Sequence, residues 1–188
     1  MTEPEFVPFP KIARLSRNII VTEKIDGTNA QVWIDDLGQE MRVGSRNRWL
    51  DTKTDNAGFH RWVTEHKEEL LKLGPGAHFG EWWGSGVQRG YGLTKGEKRF
   101  SLFNTRRWAD GGKEIRPTCC HVVPVLWSGN FNDFDPSKIL ADLAGGGSLA
   151  SPGFMDPEGI VIFHEASRQL FKKTIKDDEK PKGSTEIG

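Results

Sequence analysis

The stretch Glu23-Lys24-Ile25-Asp26-Gly27-Thr28-Asn29 sets a lysine at the end of a β-branched run, Ile19-Ile20-Val21-Thr22, with Asp-Gly directly behind it. A lysine fixed at a strand end becomes a nucleophile when burial or neighbouring cations favour its free amine. Three further charged features stand beside apolar runs. Glu81 lies within Phe79-Gly80-Glu81-Trp82-Trp83-Gly84, Glu158 precedes Gly159-Ile160-Val161-Ile162-Phe163, and Lys172-Lys173 follow Leu170-Phe171. Charges set against buried runs cost free energy unless they are paired or used. One such placement is easily accidental, but an ordered set of amine, carboxylate, carboxylate and amines is harder to ascribe to chance.

Strands must position these groups. Asp26-Gly27 is the strongest short-range turn signal, so a strand, a tight turn and a second strand over Ala30 to Ile34 are expected, with Lys24 at the rim. Asp35-Asp36-Leu37-Gly38 marks another turn, returning through Met41 to Gly44. The spacing of Phe59, Trp62, Val63, His66, Leu70 and Leu73 predicts one helix over 56–73, stopped by Gly74-Pro75-Gly76. Strands are expected over 77–83 and 99–104, separated by a Gly-rich polar loop, and an apolar run follows over 121–126. Asp135 as N-cap and Pro136 in the first turn open a short helix that Gly145-Gly146-Gly147 closes. The last strands fall at 158–163 and 169–173, and the charged tail from Lys176 is expected to fray. The fold class is α+β, mainly antiparallel sheets with flanking helices, in a single domain over 1–188.

The chain has 188 residues, with 26 basic and 26 acidic side chains, so charge as a whole makes no case for a nucleic-acid partner. Locally the balance differs. Lys95, Lys98, Arg99, Arg106, Arg107, Lys113 and Arg116 face only Glu97, Asp110 and Glu114, and Arg42, Arg46, Arg48, Lys53 and Arg61 face Asp51 and Asp55. Interleaved with Trp49, Phe100, Phe103 and Trp108, these suit phosphate contact and base stacking. An ordinary solvated surface over a tryptophan-rich core fits the same composition. The adjacent cysteines Cys119 and Cys120 have no metal-ligand spacing and fit a reducing, cytoplasmic location. No apolar run approaches membrane-spanning length, so no membrane partner is expected.

In order, the motifs resemble those of the covalent nucleotidyltransferase superfamily, and among its members the ATP-dependent RNA ligases of the RNA ligase 2 type. Lys24-Ile25-Asp26-Gly27-Thr28-Asn29 matches the nucleophile motif, Ser45-Arg46 the arginine after the second strand, Phe79 to Gly84 the Gly-Glu motif, Glu158-Gly159-Ile160-Val161 the Glu-Gly-φ-Val motif, and Phe171-Lys172-Lys173 the final basic motif. The resemblance implies an ATP-grasp-like ligase domain. It implies that Lys24 attacks the α-phosphate of ATP to give a lysyl-AMP, that AMP passes to an RNA 5′-phosphate, and that a 3′-hydroxyl seals to it. Lys172 and Lys173 would join Lys24 in catalysis, which of the two reaches the triphosphate staying open because the family motif is Lys-x-Lys. Glu23, Asn29, Arg46, Glu81, Phe103 and Glu158 would bind the nucleotide, and Glu158 would also hold Mg²⁺ or Mn²⁺. Phe103 would stack on adenine, with Phe100, expected on the same strand face, as the alternative. The implied partners are RNA ends, nicked or single-stranded, and an accessory protein or domain in trans, since no C-terminal OB-fold is expected. A DNA-ligase or capping-type acceptor, or a non-catalytic nucleic-acid-binding module on the same fold, are the alternatives.

Overall fold

The computed structural model describes residues 4–109 and 116–179. Asp110, Lys113 and Glu114 of the basic segment, and the tail from residue 180, lie outside them. In chain order the elements are β1 (Asn18–Lys24), β2 (Thr28–Ile34), β3 (Met41–Ser45), α1 (Phe59–Glu65), α2 (Lys67–Leu70), β4 (Gly76–Gly84) and β5 (Lys98–Leu102). They continue with α3 (Thr105–Trp108), β6 (Cys120–Val122), β7 (Val125–Asn130), α4 (Pro136–Gly146), β8 (Gly159–His164) and β9 (Gln169–Thr174). Two sheets result, ordered β7-β1-β8-β9 and β3-β2-β4-β5-β6. All pairings are antiparallel except β5 with β6. The α+β class with antiparallel sheets holds.

The expected hairpin around Asp26-Gly27 does not form. β1 and β2 belong to different sheets, and residues 25–27 carry the chain from one to the other. Gly27 lies outside the left-handed region that an Asp-Gly hairpin turn would need. The glycine is required by proximity instead: a Cβ there would lie 2.5 Å from the Trp82 carbonyl oxygen and 2.8 Å from Trp83 Cβ.

The apolar run over 121–126 is likewise divided. Val123 N–H donates to Leu102 O beside β5, while the next carbonyl, Pro124 O, accepts from Glu23 N–H beside β1. Pro124 lacks the N–H that a continuous central strand would use. Two adjacent crossings, at 25–27 and 123–124, therefore join the sheets.

The single helix expected over 56–73 is broken at His66 (φ −109°, ψ 18°) into α1 and α2, and a 3₁₀ turn over Leu71–Leu73 completes it. The His66 ring occupies the carbonyl of Trp62, 2.9 Å from Nδ1, which its own backbone N–H also reaches. On the outer face of the five-stranded sheet, Val32, Ile34, Trp82, Phe100 and Leu102 pack on Phe59, Val63, Leu70 and Leu73. On the outer face of the four-stranded sheet, Ile19, Val21 and Ile160 pack on Leu143 of α4. Asp135 caps α4 as expected, accepting from Ser137 N and Lys138 N. A third cluster of Ile25, Trp83, Tyr91 and Val123 fills the seam where the chain crosses.

Candidate active site

Side-chain alternation divides β1 between two environments. Ile19, Val21 and Glu23 are buried on the outer face, while Ile20, Thr22 and Lys24 point the other way. Ile20 and Thr22 line a cleft of about 600 Å³ between the sheets, shared with Phe79, Phe103, Phe163 and Leu170. Lys24 stands at the end of this row. Its Nζ donates to the Glu158 carboxylate, which is 3% exposed and enters from the residue before β8. The register makes the contact: Lys24 pairs with Gly159, so Glu158 arrives beside it. Gly159 has φ 154°, and a Cβ on it would run into the backbone of Lys173 and Thr174, so this close approach of β8 and β9 needs glycine.

A second polar chain faces the same segment from the five-stranded sheet. Glu81 Oε1 accepts from Gly27 N–H at 3.1 Å and its Oε2 from Asn29 Nδ2 at 2.9 Å. Asn29 Oδ1 in turn accepts from Arg46 Nε at 3.0 Å. Burial pushes the Glu81 carboxyl up to about 7, against the opposing pull of the Asn29 bond and the Lys24 charge.

The register places Lys172 and Lys173 on opposite faces of β9. Thr22 lies opposite Val161 and Val161 opposite Lys172, so Lys172 shares the face of β1 that carries Lys24. Lys173 lies opposite Ile160 on the outer face, and its Nζ is 3.0 Å from Asp178. Lys173 is thus not brought to the cleft. Nor is the Glu23 side chain, which accepts from Ser148 Oγ and from the N–H groups of Leu149 and Ala150. These bonds hold the 148–150 loop against the outer face of β1. Phe103 is half-exposed in the cleft, whereas Phe100 is fully buried among Phe59, Trp62 and Trp82. The two are three residues apart and lie on opposite faces, so the expectation that they share one is corrected.

Two residues of the Gly-rich loop, neither with a motif of its own, bind this arrangement together. The Tyr91 hydroxyl contacts Lys24 O, Asp26 N and Glu158 N, each at 3.2 Å. Arg89 Nε is 3.1 Å from Asp26 Oδ2, and its NH1 is 3.1 Å from Asp156 O. The only sequence signal was the chain's sole tyrosine, set between Gly90 and Gly92.

Among the described residues no group of three or more His, Cys, Asp or Glu side chains gathers to hold a metal ion. Glu158 alone at the lysine suits Mg²⁺, which keeps several waters and takes further oxygens from substrate phosphates. No helix among the described residues is long and apolar enough to cross a membrane.

A family model described as RNA ligase matches residues 17–176. Among solved structures, a variant of Naegleria gruberi RNA ligase with ATP and Mn superposes with a TM-score of 0.62 at 23% identity, over 86% of this chain and 51% of that one. A variant with AMP and Mn gives 0.60 at 24% identity, over 84% and 49%. The same ligase with PPi gives 0.58 at 22%, over 91% and 56%. The likeness is one of fold, and the chain spans about half the length of these ligases. No curated protein matches the chain by sequence.

Proposed function

The chain belongs to the RNA ligase family, and from that premise we propose that it is an ATP-dependent RNA ligase working through Lys24. The observation that carries the reading is the pairing of Lys24 with the buried Glu158 at the seam of two sheets, on the face that also holds Lys172. Lys24 Nζ gives its lone pair to the α-phosphorus of ATP. The N–P bond forms, the P–O bond to the leaving group breaks, and pyrophosphate departs. The proton that leaves Nζ finds its first acceptor in the Glu158 carboxylate. An oxygen of an RNA 5′-phosphate then takes the AMP from Lys24, and a 3′-hydroxyl displaces AMP to leave a phosphodiester.

Phe103 offers the cleft its exposed ring for adenine. The polar groups of Glu81 and Asn29 suit ribose hydroxyls, and Arg46, beside Asn29, suits a phosphate. Lys172 offsets charge on the α-phosphate as it is attacked. Glu158, with the substrate phosphates, would hold Mg²⁺ or Mn²⁺, which supplies further positive charge to the reacting phosphate. Free thiols at Cys119 and Cys120 support a cytoplasmic setting.

The test is incubation with α-labelled ATP and Mg²⁺, followed by a denaturing gel, with Lys24→Ala and Glu158→Ala alongside. A covalent label on the wild type that is absent from Lys24→Ala is expected, and addition of 5′-phosphorylated RNA should discharge it. No label with ATP or GTP, in Mg²⁺ or Mn²⁺, would overturn the enzyme reading. A label that DNA but not RNA discharges would reassign the acceptor. Discharge to RNA without sealing would place the last step with a partner in trans.

A further inference from the structure

We infer that Tyr91 is a positioning residue for the nucleophile, its hydroxyl fixing Lys24 against Glu158, and this rests on the ligase reading above. Beyond the Lys24–Gly159 pair, β1 and β8 separate, because residues 25–27 leave for the other sheet. Lys24 O and Glu158 N lie at that fork, where the β1–β8 ladder ends. The Tyr91 hydroxyl bridges the fork: it donates to Lys24 O and accepts from Glu158 N and Asp26 N. One donor and two lone pairs are the full capacity of a phenol, so all of it is spent on the two segments that carry the reacting lysine and its carboxylate.

The ring is held firmly enough to act as a reference point. It is fully buried, stacked on Phe154 at 4.5 Å and edge-on to Trp83 at 5.5 Å. Ser151 Oγ donates to the Tyr91 carbonyl at 2.7 Å. Its backbone sits in the left-handed region (φ 49°, ψ 34°), between Gly90 and Gly92, which share that region. A non-glycine residue there carries a cost of about 1 kcal/mol or more. Two residues away, Arg89 joins the same two segments at the rim, through Asp26 and Asp156. The loop thus ties 24–26 to 156–158 twice, once in the core and once at the surface. Burial drives the Tyr91 hydroxyl well above its ordinary value, so it stays protonated and keeps its donor.

Tyr91→Phe keeps the ring and removes only the oxygen. In single-turnover labelling with α-labelled ATP, the rate at saturating ATP should fall about tenfold or more, with half-saturating ATP changed less than about threefold, since a small misplacement of a reacting group is costly to rate. Amide exchange at Asp26 and Glu158 should quicken while Val32 stays protected. Leu70→Ala, in the core on the outer face of the five-stranded sheet, should lower the melting temperature yet keep the saturating rate. An unchanged saturating rate in Tyr91→Phe, or a rise in half-saturating ATP alone, overturns the inference. If Tyr91→Phe does not fold, Arg89→Ala tests the outer tie, with about a threefold loss expected and no loss counting against the inference. Wild-type protein that takes no label overturns the ligase reading instead, so the two failures are distinct.

Discussion

In the β3-β2-β4-β5-β6 sheet the outer face is filled with rings. Phe59, Trp62, Trp82 and Phe100 lie with centroids 5.1 to 5.9 Å apart, and helices cover them. In the β7-β1-β8-β9 sheet the outer face rests on α4 through aliphatic side chains, and β9 exposes Leu170 and Phe171 at the edge. The first sheet is a stiff platform, and it contributes the groups that would grip a nucleotide: Asn29, Glu81 and Phe103. The second carries the groups that would react, Lys24, Glu158 and Lys172. Rigid elements suit recognition, and less stable ones suit a site that must admit and release a polymer.

The largest test of this contrast is paired truncation. Trp82→Ala should cost about 3 to 5 kcal/mol in urea unfolding, and Leu143→Ala about 2 to 3 kcal/mol. Equal costs would break the contrast. Next comes the face assignment on β9. Lys172→Ala should lower the labelling rate about a hundredfold, and Lys173→Ala, on the outer face, by less than about threefold; the reverse order would mean a shifted register. A smaller effect follows from Glu81. Its carboxyl holds its proton to about pH 7 when folded, against an ordinary 4.5, so the stability it lends below pH 4.5 is lost as pH rises through 7. Glu81→Gln cannot ionise and should flatten that slope, which is worth on the order of 3 kcal/mol at most. Last, backbone amides of β9 should exchange with solvent sooner than those of β4, which is paired on both sides.

Local patterns carried the individual strands and the α4 cap well, because a period of two and an Asp-Pro start depend only on neighbours. Sheet membership did not follow. Asp26-Gly27 has the composition of a hairpin turn, and nothing nearby records that Trp82 and Trp83 occupy the space a side chain at 27 would need. The same limit explains Lys172 and Lys173. Their neighbours in sequence cannot say which lysine faces the cleft, whereas the register to Val161 and Ile160 decides it at once. Glu23 belongs to the nucleophile motif by position, but alternation sends its side chain away from Lys24. Tyr91 was legible only as an odd aromatic between glycines, since its partners at 24, 26 and 158 are brought together by both sheets.

The two crossings enclose every strand of the five-stranded sheet, β2 to β6, between β1 and β7. During translation, β1 therefore leaves the ribosome ahead of the other described strands, yet its hydrogen-bonding partners β7 and β8 follow only after residue 124. The five-stranded sheet can assemble while the lysine strand waits with both edges open, a template for stray pairing. The nascent chain is open to misassembly at the strand that carries Lys24, and a ribosome stalled before residue 159 would hold Lys24 without the Gly159 that pairs with it.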